Sequence, residues 1–231
     1  MNSIEMSSIE IRELSTEQEL REAVALQKTI WRWDDADLIP FRMFVVATKI
    51  GGQVLGAVVD EHADGPMVAF SLAIPGLKPD GKPYLHSHML GVLPEHRNAG
   101  LGRRLKLRQR EDALARGLDL IEWTFDPLEL KNAHFNLERL GAIVRRYVRN
   151  QYGVSSSPLH GGLPTDRCVA EWWIRKPRAK AEVVERIQVP ADIGEARAKQ
   201  SEIADRFEQC FARGLAVIGM EGGSYLLGVV D

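Results

Sequence analysis

The sequence predicts an α/β protein of the α+β type: a mixed, mostly antiparallel central sheet with flanking helices and a C-terminal helix and hairpin. Three observations predict it. Residues 53–60, 67–74 and 84–93 read as strands joined by turns rich in Gly and Pro, which makes an antiparallel stretch. Residues 84–149 then alternate strand, helix, strand, helix, strand, and such crossovers are where parallel pairing is expected. Last, a helix over 192–213 precedes two short strands, 215–220 and 225–230, around Glu221-Gly222-Gly223-Ser224.

Taken in order, Ile9, Ile11 and Leu14 are strand-like, and Ser15 with Gln18 forms a capping box that opens a helix through Trp31. Leu20, Val24 and Ile30 lie on one side of that helix. A second helix is expected within 34–50, starting near Pro40, before Gly51-Gly52 turns the chain into a strand. The helix over 100–117 carries Leu101, Leu105, Leu107, Leu114 and Leu118 on a broad apolar side, with Gly117 at its end. Residues 120–125 are a strand, 127–140 a helix ending at Gly141, and 142–149 and 168–174 two further strands. Residues 177–189 change character, with alternating charge and β-branched side chains. We therefore read 1–188 as the main domain and 189–231 as an extension docked through Ile203, Phe207 and Phe211.

Composition narrows the function classes. A 45% hydrophobic, 27% charged chain of 231 residues buries a real core, so disorder is excluded. Thirty basic residues against 32 acidic ones leave no general attraction for nucleic acid or an anionic membrane, and any basic site must be local. Cys168 and Cys210 lack metal-ligand spacing and read as core thiols in a reducing compartment. The acidic start carries no apolar run, and nowhere do about 18 apolar residues stand together, so the expected location is the cytoplasm.

The chemistry concentrates in Val92-Leu93-Pro94-Glu95-His96-Arg97-Asn98-Ala99-Gly100-Leu101-Gly102, between an expected strand and an expected helix. It contains Arg-x-x-Gly-x-Gly. Successive amide N–H groups at a helix start form a concave donor site that favours negative charge, and glycine permits close approach. A side chain at Gly100 or Gly102 would intrude on a bound phosphate, while Arg97, Arg103 and Arg104 add positive charge. An isolated Gly-x-Gly is more often a plain turn; the lead-in and the β-α-β-α continuation decide against that here. No Gly-Lys-Ser/Thr follows, and the third glycine of a dinucleotide fingerprint is absent.

The segment resembles the pyrophosphate loop of the GNAT superfamily of acyl-CoA N-acyltransferases, whose pattern is Gln or Arg, two residues, Gly, one residue, then Gly or Ala. The resemblance covers residues 10–174 in element order and is sharp over 92–102; the pattern over 123–141 looks like that of an uncharacterised predicted-acetyltransferase branch. It implies a fourth strand that splays from the fifth, with a pantetheine arm bonded along Leu90, Gly91, Val92 and Leu93. It implies that Arg97, Asn98, Ala99, Gly100, Leu101, Gly102 and Arg103 hold the pyrophosphate, that Asn132 contacts the coenzyme, and that the thioester lies near residues 123–126. The implied co-substrate is acetyl-CoA or another acyl-CoA, without a metal. The implied acceptor is a small amine or amino-acid-like molecule, and the implied assembly a monomer or homodimer. The chain departs from the family where Leu137 stands in the usual tyrosine position and Ala142 in place of the usual final Phe.

Direct attack by an amine requires a proton acceptor, because an amine of pKa about 10.4 is almost wholly charged at neutral pH. His86 and His88, two apart on one strand, share a face and are candidate bases; each reads equally as a hydrogen-bonded sheet histidine. Family spacing from the loop puts His86 where several members carry a basic carboxylate. Asp126, beside Pro127, either binds the acceptor's ammonium or caps a helix. Tyr147 and Tyr152 are possible substitutes for the absent tyrosine, His134 and Asn136 possible acceptor-side groups, and the basic run Arg145-Arg146-Tyr147-Val148-Arg149 a solvated face or an anion contact. A non-catalytic acyl-CoA-binding or regulatory module, and a transferase using a longer acyl-CoA, remain the alternatives.

Overall fold

A computed structural model describes residues 9–59, 65–154, 162–178 and 180–230. The chain forms two compact units, the first ending at Leu118 and the second starting at Asp119.

In the first unit, β1 (Ile9–Glu13), β2 (Gln53–Val59), β3 (Met67–Leu77) and β4 (Pro83–Val92) pair antiparallel in chain order. Helices α1 (Glu17–Trp31), α2 (Phe41–Lys49) and α3 (Leu101–Ala115) cover the sheet. Alternation along the strands divides the core. Val54, Phe70, Leu72 and Met89 pack with Leu20, Ile30 and Phe44 of α1 and α2, whereas Leu55, Ala57, Val68 and Ala69 pack with Leu101 and Leu105 of α3. The β3–β4 register pairs Leu72 with Met89 and Ala73 with Ser87, so His88 is an extra residue and β4 bulges there.

The capping box sits one residue later than predicted. Thr16 is the N-cap of α1, and Glu19 rather than Gln18 returns the bond. The carboxylate of Glu19 accepts from the amides of Ser15 and Thr16 and from Arg12, a charge-assisted set that a glutamine cannot match. Burial works against its charge, but the hydrogen bonds from Thr16, Arg12 and Ser15 outweigh it and hold the carboxyl at about 2.

In the second unit, β5 (Leu120–Phe125) pairs with β7 (Arg167–Trp173), which pairs with β6 (Ile143–Val148). The sheet continues through β9 (Leu215–Glu221), β10 (Ser224–Val229) and β8 (Glu185–Gln188), all antiparallel. The C-terminal hairpin is thus part of this sheet, and β8 lies within the stretch of altered composition. Ile203 and Phe207 are buried, and Phe207 stacks on Tyr147 at 5.4 Å and meets Tyr225 edge-on at 5.0 Å. Cys168 and Cys210 are buried free thiols.

Two predicted helices are broken. Instead of one helix over 127–140, a turn leads into α4 (Leu130–His134) and then a π-helical turn, Phe135–Arg139, closed by Leu140 N–H on the Phe135 carbonyl at 3.1 Å. The wider turn lets Asn136 accept from the Trp123 indole at 3.1 Å while Glu138 takes Arg178 and the Met220 amide. The helix over 192–213 is interrupted at Lys199, leaving α5 (Ile193–Ala198) and α6 (Gln200–Ala212); Gln200 there donates to the Pro164 carbonyl at 2.9 Å.

Candidate active site

The loop between β4 and α3 is shaped by two left-handed residues, Asn98 at φ +62° and Gly100 at φ +79°. Gly100 is the N-cap of α3 and offers no capping side chain. Arg104 N–H closes the first helical bond on the Gly100 carbonyl at 3.0 Å. The amides of Gly100, Leu101, Gly102 and Arg103 meet no acceptor among the described residues. These are the orphan donors of a helix start, with the dipole of a 15-residue helix behind them. Arg97, Asn98, Gly100 and Arg103 are exposed, Ala99 and Gly102 half-buried. Leu101 is buried in the α3 core, so only its backbone faces outward.

Two details differ from the expected picture. A Cβ on Gly100 would meet nothing within 4 Å, so the glycine is required by its backbone conformation and not by crowding within the protein. The guanidinium of Arg97 points back into the fold, donating from Nε to the Val92 carbonyl at 3.2 Å and from Nη2 to the Ile30 carbonyl at 3.4 Å. Arg97 therefore clamps the loop to β4 and α1, whereas Arg103 makes no hydrogen bond or ion pair among the described residues.

Along β4, Leu90, Gly91 and Val92 are in register with Ser71, Phe70 and Ala69 of β3, and Leu93 N–H donates to the Val68 carbonyl at 2.9 Å. Gly91 is required by close packing: a Cβ would lie 2.8 Å from Ile30 Cδ1 and 2.9 Å from Trp31 Cη2. The end of α1 thus rests directly on this strand, and Trp31 stacks on Trp33 at 4.8 Å.

His86 and His88 are half-buried with ring centroids 5.7 Å apart, although the bulge intervenes. Burial lowers the pKa of His88 from its ordinary value, which favours the neutral, proton-accepting ring at pH 7. On the α3 side of the strand, Ser87 accepts from Lys106 Nζ at 2.8 Å. Lys106 is 3% exposed, and burial pushes its amine well below the lysine range. Nothing in the sequence distinguishes this lysine from the other basic residues of α3, because its partner is 19 residues away.

The remaining candidates belong to the second unit. Asp126 Oδ1 accepts from Leu128 N–H at 2.8 Å, a local turn, and Arg167 stands 4.0 Å from Oδ2. With Asp166, Arg197 and Gln200 it lines a small polar hollow. Asn132 is exposed, and its Oδ1 accepts from Asn136 at 3.4 Å. Leu137 is wholly buried, an ordinary core residue. Tyr147 donates to Asp166 at 2.9 Å, and burial with the nearby Asp166 carboxylate raises its hydroxyl above the usual range. Tyr152 shares a 3.0 Å hydrogen bond with Thr124. Among the described residues no group of His, Cys, Asp and Glu has the arrangement of a metal site. No helix of the described residues is long and apolar enough to cross a membrane.

No curated protein matches the sequence. Solved structures do match the fold. The ribosomal-protein-S18-alanine N-acetyltransferase of Escherichia coli is 19% identical, with a TM-score of 0.54 over 72% of this chain and 94% of its own. Naa50 of Arabidopsis thaliana, solved with the bisubstrate analogue CoA-Ac-MVNAL, is 16% identical with a TM-score of 0.53 over 71% of this chain and 97% of its own. Aminoglycoside 6'-acetyltransferase type Ii is 19% identical with a TM-score of 0.55 over 73% and 99%. The acetyltransferase (GNAT) family model matches residues 8–142, more than half of the chain and the whole of the β4-loop-α3 segment. The left-handed glycine, the open amides and the strand before them are thus features of a chain that belongs to the GNAT acetyltransferase family.

Proposed function

We propose that this acetyltransferase moves the acyl group of acetyl-CoA directly to the nitrogen of a small amine or amino-acid-like acceptor. The observation that carries the reading is the row of open amides at Gly100, Leu101, Gly102 and Arg103 beneath a left-handed glycine. Those donors, with the free guanidinium of Arg103, suit the pyrophosphate of the coenzyme; the strand segment Leu90, Gly91, Val92 and Leu93 suits its pantetheine arm through those backbone groups that β3 and Arg97 do not use. The thioester supplies the electrophile. His88, neutral at pH 7, takes the ammonium proton so that the acceptor's lone pair is free, with His86 as its neighbour. The departing thiol, with a pKa of about 8.5, tolerates departure without a tyrosine at position 137.

Thermal-stability shifts with acetyl-CoA, longer acyl-CoAs and free CoA test the donor, since a ligand at 100 times its Kd adds about 2.7 kcal/mol. Turnover over a panel of amines, amino acids and peptide N-termini then tests the acceptor; activity confined to peptides would overturn the small-acceptor reading. A second reading, a binding module without turnover, is favoured by the burial of Leu137 in the tyrosine position. Coenzyme binding with no transfer to any acceptor, unchanged by His88→Ala, would select it.

A further inference from the structure

The interior between α3 and the sheet of the first unit contains an unusual amount of polar surface. Gln53, Ala73 and Ser87 form one row across β2, β3 and β4, and Ser71 lies two residues from Ala73 on the same face. Both ends of the row are bonded to α3: Gln53 Nε2 to Asp112, and Ser87 to Lys106. Gln109 stands three residues from each of those helix partners, so helical spacing places it over the middle of the row, where Ala73 offers only a methyl group.

Gln109 is 0% exposed, Ser71 1% and Gln53 2%. Yet Gln109 Nε2, Gln109 Oε1, Ser71 Oγ and Gln53 Oε1 are buried with no protein partner among the described residues. Isolated orphans of this kind are rare, because a buried polar atom without a partner loses its hydration and gains nothing in return. Four within one layer, donors and acceptors together, match the 2–4 partners that an internal water uses.

We propose that the layer between α3 and β2–β4 is an internal binding site for water, held by Gln109, Ser71 and Gln53 and bounded by the Lys106–Ser87 pair. Burial pushes the Lys106 amine well below the lysine range, and orphan groups that include acceptors as well as donors suit water better than an anion. The site lies under the helix whose first turn carries the open amides, and the water fastens that helix to β2 and β3.

A crystal structure at about 1.5 Å tests the proposal directly, with solvent density expected within hydrogen-bond distance of both Gln109 amide atoms and Ser71 Oγ. Gln109→Met provides a second reading from the full-length protein. If water fills the layer, the variant loses its bridging bonds and the melting temperature falls, by about 3 °C or more. If the layer is dry, removing two orphan polar atoms raises it. Empty density, a raised melting temperature, or a melting temperature that climbs with chloride but not with gluconate at equal ionic strength would each overturn the proposal, the last by identifying an anion.

Discussion

Arg97 Nε donates to the carbonyl oxygen of Val92, 3.2 Å away, closing the loop between β4 and α3 onto the strand that precedes it. With the Ile30 contact, one side chain fixes both the loop and the end of α1. Arg97→Ala should loosen the loop and raise the Kd for acetyl-CoA about 5- to 30-fold, the equivalent of about 1–2 kcal/mol. Lysine cannot reproduce the two-pronged donation, so Arg97→Lys should recover only part of the loss. Isothermal titration calorimetry measures both, and wild-type affinity in the alanine variant would show that the loop needs no clamp.

Two glycines should fail for different reasons. Gly100→Ala forces an L-residue into φ +79° with nothing nearby to collide with, costing about 1–2 kcal/mol at the turn into α3. Gly91→Ala places a methyl 2.8 Å from Ile30 and should destabilise the whole first unit by about 1–3 kcal/mol. Urea unfolding with and without acetyl-CoA separates the two: the Gly100 variant should lose mainly ligand stabilisation, the Gly91 variant stability in both series.

Burial lowers the imidazole of His88 below its ordinary 6.5, so the unfolded chain takes up this proton more readily than the folded one. The associated stability is complete above pH 6.5 and is lost as pH falls through the lower folded value. The wild-type melting temperature should therefore drop more steeply than that of His88→Gln on the acid side of 6.5. If His88 is the base, the same variant should lose about 100-fold in turnover at pH 7. Parallel melting profiles and full turnover would remove the residue from both roles.

Leu137→Tyr, which restores the tyrosine usual in the family, should not improve transfer. The position is 0% exposed, so the larger ring with its hydroxyl must be forced into a closed core. A loss of about 1–3 kcal/mol is expected by chemical denaturation. A gain in turnover without that loss would mean that a path from position 137 to the thioester exists.

Near-neighbour patterns carried much of this architecture. The alternation of β2 and β3, the leucine side of α3 and the Arg-x-x-Gly-x-Gly spacing were readable because each depends on residues a few positions apart. Gly100 belongs to that class, since its left-handed conformation is a property of the short turn between Arg97 and α3. The pairing of Thr16 with Glu19, the π-helical turn at Phe135–Arg139 and the break at Lys199 were not readable. Each is settled by partners brought from afar: Arg12 for Glu19, Met220 and Arg178 for Glu138, Pro164 for Gln200. The role of Arg97 turned in the same way, because a guanidinium that looks free in the chain finds the carbonyl of Ile30 only after α1 has packed on β4. Burial is likewise a property of the assembled core, so neither the lowered pKa of His88 nor the enclosed amine of Lys106 exists until the sheet and α3 close around them.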